Sequence, residues 1–267
     1  MRLLALDVDG TVLTSRGHPA PGLREAIARL PDDMRVVIAT GRRLSSLYPV
    51  LGQIGLDTST VVVLNGGLTI DLARPRVLAA HRVGTELEEA IRGGEERGLL
   101  VGAVFPTPRV GDLYGSEGLA RVNAPGYAGP IRRPLKEACY VAAWGTAEAA
   151  TTWADAVDRR GDVRVYAFPE GPNWYHVEVT PKGVDKQVAV SDLAHSLGVA
   201  RRDVIAVGDG GNDTTLIAWA GLGVAMGNAS PEAKGVADRV IGHADAGALT
   251  DFLKEFHQDA AKRGLPA

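Results

Sequence analysis

Short apolar runs of strand length punctuate the chain at Leu3 to Leu6, Arg35 to Ala39, Thr60 to Leu64, Val204 to Val207 and Leu222 to Met226. Their length and β-branched content read as buried parallel strands. Between them, Gly22 to Leu30, Arg43 to Ile54 and Gln187 to Leu197 space their apolar residues as helices do. Strand alternating with helix predicts an α/β fold built on a doubly wound, Rossmann-like parallel sheet. Four runs empty into polar, glycine-bearing turns: Asp7-Val8-Asp9-Gly10, Thr40-Gly41-Arg42, Asn65-Gly66-Gly67 and Gly208-Asp209-Gly210-Gly211-Asn212-Asp213. In a parallel α/β sheet the strand C-terminal ends border the ligand crevice, so these turns are expected to converge on one site.

Residues 81–179 break the alternation. Pro and Gly cluster from Phe105 to Gly115 and from Asn123 to Pro134, and strand-like segments recur at Tyr140 to Trp144 and Trp174 to Val179. This stretch reads as an inserted α+β domain within a core made of residues 1–80 and 180–267. Trp174-Tyr175-His176-Val177-Glu178-Val179 alternates apolar with polar, which predicts a strand with one solvated face.

A length of 267 residues suits two unequal domains, and 45% hydrophobic with 23% charged residues is the balance of a chain that buries a sizeable core. A net charge of -3 supplies no global field for nucleic acid or anionic lipid, and neither is expected as a partner. Cys139 is the single cysteine, which excludes an internal disulfide and suits a reducing compartment. The first residues reach an aspartate before a secretory apolar stretch can form, and no later run has membrane-spanning length. A cytoplasmic protein, monomeric or a small homo-oligomer, is expected. Asn212-Asp213-Thr214 and Asn228-Ala229-Ser230 match the glycosylation pattern only by chance in that setting.

Asp7 and Asp9 stand two apart at a strand end, a spacing that turns alternate side chains to the same side. Two carboxylates facing one ligand divide the labour of covalent transfer: one attacks, the other moves protons. Gly10 permits the tight exit turn and Thr11 offers a hydroxyl donor. A calcium loop is excluded, because the twelfth position counted from Asp7 is His18 rather than a bidentate glutamate. Asp209 and Asp213 add oxygen ligands for a hard divalent cation, for which magnesium is the natural occupant. Lys182 and Lys186 both precede the next helix, and either can bring a positive charge to the site. Thr40 can cap the helix after it or bind a phosphoryl oxygen.

Asp7-Val8-Asp9-Gly10-Thr11-Val12-Leu13, Ala39-Thr40-Gly41-Arg42, Lys186 and Gly208-Asp209-Gly210-Gly211-Asn212-Asp213 stand in the order of the four motifs of the haloacid dehalogenase-like superfamily, which the chain resembles. The segment from Val207 to Ala229, together with Asn65-Gly66-Gly67, is similar to the Cof-type phosphatase branch, whose large cap is inserted between the second and third motifs. The resemblance covers both core segments and favours Lys186 over Lys182, because the family lysine opens its helix as in Gly183-Val184-Asp185-Lys186. It implies a magnesium-dependent phosphatase for a small phosphorylated metabolite, with Asp7 as nucleophile and Asp9 as acid and base. Lys186 would help neutralise the phosphate charge, and Asn212 and Thr40 would position Lys186 and the transferring phosphoryl oxygens. Magnesium (Mg2+) would be held by Asp7, the main-chain carbonyl of Asp9, and Asp209, with Asp213 orienting its waters. Substrate contacts are expected from Gly10, Thr40, Gly41, Arg42, Asn65, Gly66, Lys186 and Asn212.

Specificity would lie in the cap, where Arg109, Arg121, Arg132 and Arg133 can bind a second anionic group. Sugar phosphates lead the implied substrates, ahead of pyridoxal phosphate and flavin mononucleotide. His243-Ala244-Asp245-Ala246-Gly247 departs from the family pattern of an asparagine and an Asp-Gly pair. The rival readings are a phosphomutase or phosphotransferase using the same aspartyl phosphate, a receiver-like phosphorylatable module, and a non-catalytic binder.

Overall fold

The computed structural model describes residues 1–57, 59–84, 92–109, 112–121, 126–159 and 163–262. The large sheet takes β1 (Arg2–Leu6), β2 (Met34–Ala39), β3 (Thr60–Val63), β4 (Leu68–Asp71) and β5 (Arg76–Ala80) from the first part of the chain. A second sheet contains β6 (Leu100–Val104), β7 (Leu113–Gly115), β8 (Tyr127–Gly129), β9 (Tyr140–Thr146), β10 (Val163–Gly171) and β11 (Trp174–Pro181). The chain then returns to the large sheet with β12 (Val204–Gly208), β13 (Leu222–Ala225) and β14 (Arg239–Val240).

The large sheet runs in the order β14-β13-β12-β1-β2-β3-β4-β5. From β14 to β3 every pairing is parallel, whereas β4 and β5 close the far edge antiparallel. The sheet is therefore mixed at one edge. That hairpin is missing from the pattern of long apolar runs, because Leu68–Asp71 is only four residues long and a register shift follows Thr69.

Period two explains why β1 is central. Leu4 and Leu6 join Ile38, Val61, Val63 and Val207 on one face, beneath Leu23, Leu47 and Leu51 of the helices Leu23–Ala28 and Leu44–Ile54. Leu3 and Ala5 join Val37, Val62 and Ala206 on the other, beneath Val190, Leu193 and Leu216 of the helices Lys186–Ser196 and Thr214–Trp219. A strand buried on both sides cannot alternate with polar residues, which is why Leu3 to Leu6 is a continuous apolar run. Chain order departs from β1 in both directions, through β2 on one side and β12 on the other, so the topological switch point lies between β1 and β12.

The second sheet has the order β10-β11-β9-β6-β7-β8 and is antiparallel except between β7 and β8. On one face Val101, Ala103, Val141, Ala143, Val177 and Val179 pack with Trp153 and Val157 of the helix Ala147–Asp158. The opposite face carries Tyr140, Trp144, His176 and Glu178, and it turns toward the large sheet. The apolar–polar alternation of Trp174 to Val179 is real, but its polar face is not a free surface: His176 and Glu178 line a cavity between the two sheets.

Candidate active site

Asp7 follows β1 and is almost fully buried, its amide donating to the Val207 carbonyl at 3.0 Å. The strand then turns through Gly10 at φ 74°, in the left-handed region. A Cβ at Gly10 would stand 2.1 Å from Asp209 Oδ2, so only glycine lets the turns after β1 and β12 approach this closely. Asp7, Asp209 and Asp213 each present an oxygen within 4.8 Å of the others.

Lys186 enters this cluster from the first residue of its helix. The Asp185 carboxylate accepts from the Val188 amide at 3.0 Å and from Thr215 Oγ1 at 3.0 Å, which caps the helix and fixes its start. Lys186 Nζ lies 2.6 Å from Asp7 Oδ1 and 2.8 Å from Asp213 Oδ1, with the lysine side chain 1% exposed. Lys182, by contrast, is exposed. Gly66 belongs to the same construction: a Cβ there would lie 2.3 Å from the Asp185 carbonyl oxygen, so its absence lets the turn after β3 close on the lysine helix.

The charges are unbalanced. Burial, then repulsion from Asp213, pushes the Asp7 carboxyl up to about 8 despite the attraction of Lys186. Burial and Asp213 likewise raise Asp209 to about 6. Burial works against the Lys186 ammonium, but Asp213 and Asp7 outweigh it and hold its proton more firmly than usual. Three carboxylates around one ammonium leave an excess of negative charge at a crevice of oxygen donors. That donor set fits a hard divalent cation.

Asp9 departs from the arrangement that a spacing of two suggests. Its carboxylate turns out of the acidic cluster and is forked by Arg42, at 2.8 Å from Nε and 2.6 Å from Nη2. Thr40 is buried and accepts from the Arg42 amide at 3.1 Å. It does not cap the following helix, whose N-cap is Arg43. Asn212 does not touch Lys186 either. Its Nδ2 donates to Asn65 Oδ1 at 2.9 Å, and the lysine is positioned by Asp7 and Asp213 instead. Asp213 Oδ2 accepts the amides of Asp209 and Gly210, shaping the turn that presents Asp209, a task the sequence did not suggest. Gly41 lies against Asn65, 3.1 Å from its amide group to the position of a Cβ.

Asn228 was not among the expected residues. Its Nδ2 donates to the Gly10 carbonyl at 2.8 Å and to Asp209 Oδ2 at 3.0 Å, while its Oδ1 accepts from the Ala244 amide at 2.9 Å. One side chain thus ties both acidic turns to the His243 to Gly247 loop. That loop is anchored again where Asp245 accepts from the Ser15 amide and hydroxyl at 2.7 and 2.8 Å. The signal was present in the sequence, since Met226-Gly227-Asn228 is another glycine-bearing turn after an apolar run.

Between the sheets lies a cavity of about 500 Å³. Asp7, Asp9, Thr40, Arg42, Asp209 and Asn212 form part of its floor, and Tyr140, Phe168, His176 and Glu178 its roof. Three of the arginines expected there are elsewhere. Arg109 and Arg132 are exposed, Arg133 pairs with Glu137 at 2.6 Å, and none of the three lines the cavity. The side chain of Arg121 lies outside the described residues.

Residues 4–94 and 164–253 match the haloacid dehalogenase-like hydrolase family. A phosphoglycolate phosphatase of Natronomonas pharaonis is 30% identical, over 94% of each chain. The pyridoxal phosphate phosphatase YbhA of Escherichia coli is 26% identical, over 94% of this chain and 97% of its own. A solved haloacid dehalogenase-like hydrolase from Bacteroides thetaiotaomicron superposes with a TM-score of 0.79 at 24% identity, over 95% of this chain and 98% of its own. The chain belongs to the haloacid dehalogenase-like hydrolases, in their Cof-type branch, and is a phosphoric monoester hydrolase. Among the described residues no helix is long and apolar enough to cross a membrane.

Proposed function

We propose that the chain is a magnesium-dependent phosphatase that hydrolyses small phosphate monoesters through an aspartyl phosphate on Asp7. The observation that carries this reading is the buried contact of Lys186 with Asp7 and Asp213, beside Asp209, at the switch point of the sheet. Residues 1–80 and 180–267 are taken as the catalytic core and 81–179 as the specificity cap. Cys139 is a free, buried thiol, and a chain with a single cysteine fits a reducing, cytoplasmic setting.

Asp7, Asp209 and the Asp9 carbonyl would hold magnesium, which when bound supplies positive charge against the phosphate dianion and the attacking carboxylate. Lys186 draws the Asp7 carboxylate into place and offsets charge on the phosphoryl oxygens. Asp7 Oδ attacks phosphorus as the bond to the leaving oxygen breaks, and Asp9 gives that oxygen its proton. Water then attacks the phosphorus of the aspartyl phosphate, its proton passes to Asp9, and Asp7 is regenerated. Asp9 must leave the Arg42 fork and take a proton from solvent before the first transfer, after which it alternates between giving and receiving that proton. An incoming phosphate dianion competes for the same guanidinium and favours that release.

Phosphate release from p-nitrophenyl phosphate, with magnesium and with chelator, tests this reading. Asp7→Asn should lower kcat by at least about 10⁴-fold while the melting curve stays cooperative, because the uncatalysed reaction is so slow that nothing replaces the nucleophile. Retained turnover in a magnesium-loaded sample free of deamidation would remove Asp7 from this role. Dependence on a bisphosphate activator would redirect the reading to a phosphomutase. Sugar phosphates are the class implied by the family resemblance, and kcat/KM across sugar, cofactor and nucleotide phosphates tests that choice.

A further inference from the structure

Resting on the phosphatase reading, we propose that Asp112, a residue of the insert, is a positioning residue for phosphate binding: it caps the core helix Leu44–Ile54 through Ser45 and so holds Arg42 where an incoming phosphate meets it. The helix starts without a cap of its own. Its N-cap residue, Arg43, is extended and makes no side-chain capping bond. The Ser46 and Leu47 amides both donate to the Arg43 carbonyl, at 3.2 and 3.0 Å. The Ser45 amide, at the second helical position, needs an acceptor from outside the helix.

Asp112 supplies that acceptor from across the interface. It stands just before β7, only 2% exposed, and its carboxylate accepts from both the amide and the hydroxyl of Ser45. Gly126, just before β8, seats it there, its carbonyl accepting the amides of Asp112 and Leu113 at 3.2 and 3.0 Å. A Cβ on Gly126 would lie 2.5 Å from Ser45 Oγ and 2.9 Å from Asp112 Oδ1, so only glycine lets the two segments meet. Oδ1 itself is buried without a hydrogen-bond partner among the described residues. Burial therefore outweighs the Arg43 charge and the Ser45 bonds and lifts the carboxyl to about 6, which leaves it an anion at neutral pH, at the positive end of the helix.

What this cap holds is the turn that carries Arg42. The Ser46 carbonyl, one residue beyond Ser45, accepts from Arg42 Nη1 at 3.1 Å, while Asp9 occupies the fork of Nε and Nη2. The first turn of the helix thus fixes one side of the guanidinium and leaves the other to be exchanged between Asp9 and phosphate. If that turn frays, Ser46 lets go and Arg42 loses the single orientation that a charge-assisted pair with a phosphate oxygen requires. Arg42 and Ser46 line the cavity, whereas Asp112 and Ser45 do not. Asp112 therefore acts on phosphate through the helix, and its effect is the same whatever the leaving group.

The experiment measures kcat, KM and the inhibition constant of inorganic phosphate, with magnesium present and with p-nitrophenyl phosphate and glycerol 3-phosphate as substrates. In Asp112→Ala both KM values and the phosphate constant should rise together about fivefold, the effect of losing one N-cap, while kcat stays within about twofold. Asparagine caps as well as aspartate, so Asp112→Asn should recover most of the loss. Ser45→Ala removes one of the two donors and should show the same pattern at about twofold, which decides the matter should Asp112→Ala fail to fold. A lowered melting temperature with an unchanged phosphate constant would make Asp112 merely structural and overturn the inference. So would a KM that rises for only one of the two substrates, or an Asp112→Asn as impaired as Asp112→Ala. Each of these leaves the phosphatase reading standing, whereas a wild-type protein without magnesium-dependent release from p-nitrophenyl phosphate would overturn both.

Discussion

The floor and the roof of the cavity are built on opposite principles. The floor is made of turns at the ends of parallel strands, where consecutive residues act together: Asp7 with Asp9 and Gly10, Thr40 with Gly41 and Arg42, Asp209 with Asn212 and Asp213. The roof is a sheet face, where the working residues are two apart in sequence and come from three strands. Charge dominates the floor, with Lys186 between Asp7 and Asp213. Aromatic surface dominates the roof. Under the proposed function, the contrast separates the chemistry of phosphate on the floor from recognition of what carries it at the roof, the two joined through the Glu178–Asn65–Asn212 chain.

If the floor is electrostatic, the largest effect short of losing Asp7 itself should come from the buried Lys186. Lys186→Met should lower kcat about 10²–10³-fold. It should also cost roughly 3–5 kcal/mol of folding stability in chelator, because Asp7 and Asp213 then face each other unpaired in the interior. Thermal melts with and without magnesium check this, and magnesium should restore part of the loss. Unchanged stability in chelator would mean that the acidic cluster sheds its charge by protonation instead.

A smaller effect is expected at Asn228, which touches both acidic turns without reacting. Asn228→Ala should weaken magnesium activation by about 10–100-fold, since Asp209 loses a partner that orients it. A magnesium titration of initial rates reads this directly. An unchanged activation constant, with only the melting temperature lowered, would reduce Asn228 to a brace between Gly10 and Ala244.

The roof should answer pH where the floor answers magnesium. Burial, the largest influence, raises Glu178 from 4.5 to about 7, so the folded chain holds that proton after the unfolded chain has released it. A raised carboxyl stabilises the fold least above its folded value: the loss begins as pH rises past about 4.5 and is complete beyond about 7. At 1.36 kcal/mol per pH unit the full effect is roughly 3 kcal/mol. Glu178→Gln should therefore flatten the fall in stability between pH 5 and pH 8, measured by denaturant melts in chelator. A profile identical to wild type would place the pH response in the acidic floor alone.

These differences also explain what was readable in advance. β1, β2, β3, β12 and β13 follow the expected runs because strands buried on both faces must be apolar throughout. The β4–β5 hairpin was not legible, since a four-residue antiparallel edge strand carries too little pattern. Lys186 was separable from Lys182 only by resemblance, and the structure separates them by burial. Asn228 had a visible signal in Met226-Gly227-Asn228 that went uncounted. The arginines of the insert drew attention for their charge, while the roof residues were hidden in an ordinary alternation.

The sequence by itself determined the alternating core, the glycine-bearing strand ends and the residues that bring carboxylates to them, because parallel strands force their C-terminal turns to one edge. Only the tertiary structure decided that Asp9 is held by Arg42, that Asp213 rather than Asn212 shares Lys186 with Asp7, and that the polar face of β11 is a roof. Side-chain direction at a turn and the partner of a sheet face depend on groups distant in sequence, and no local pattern encodes their approach.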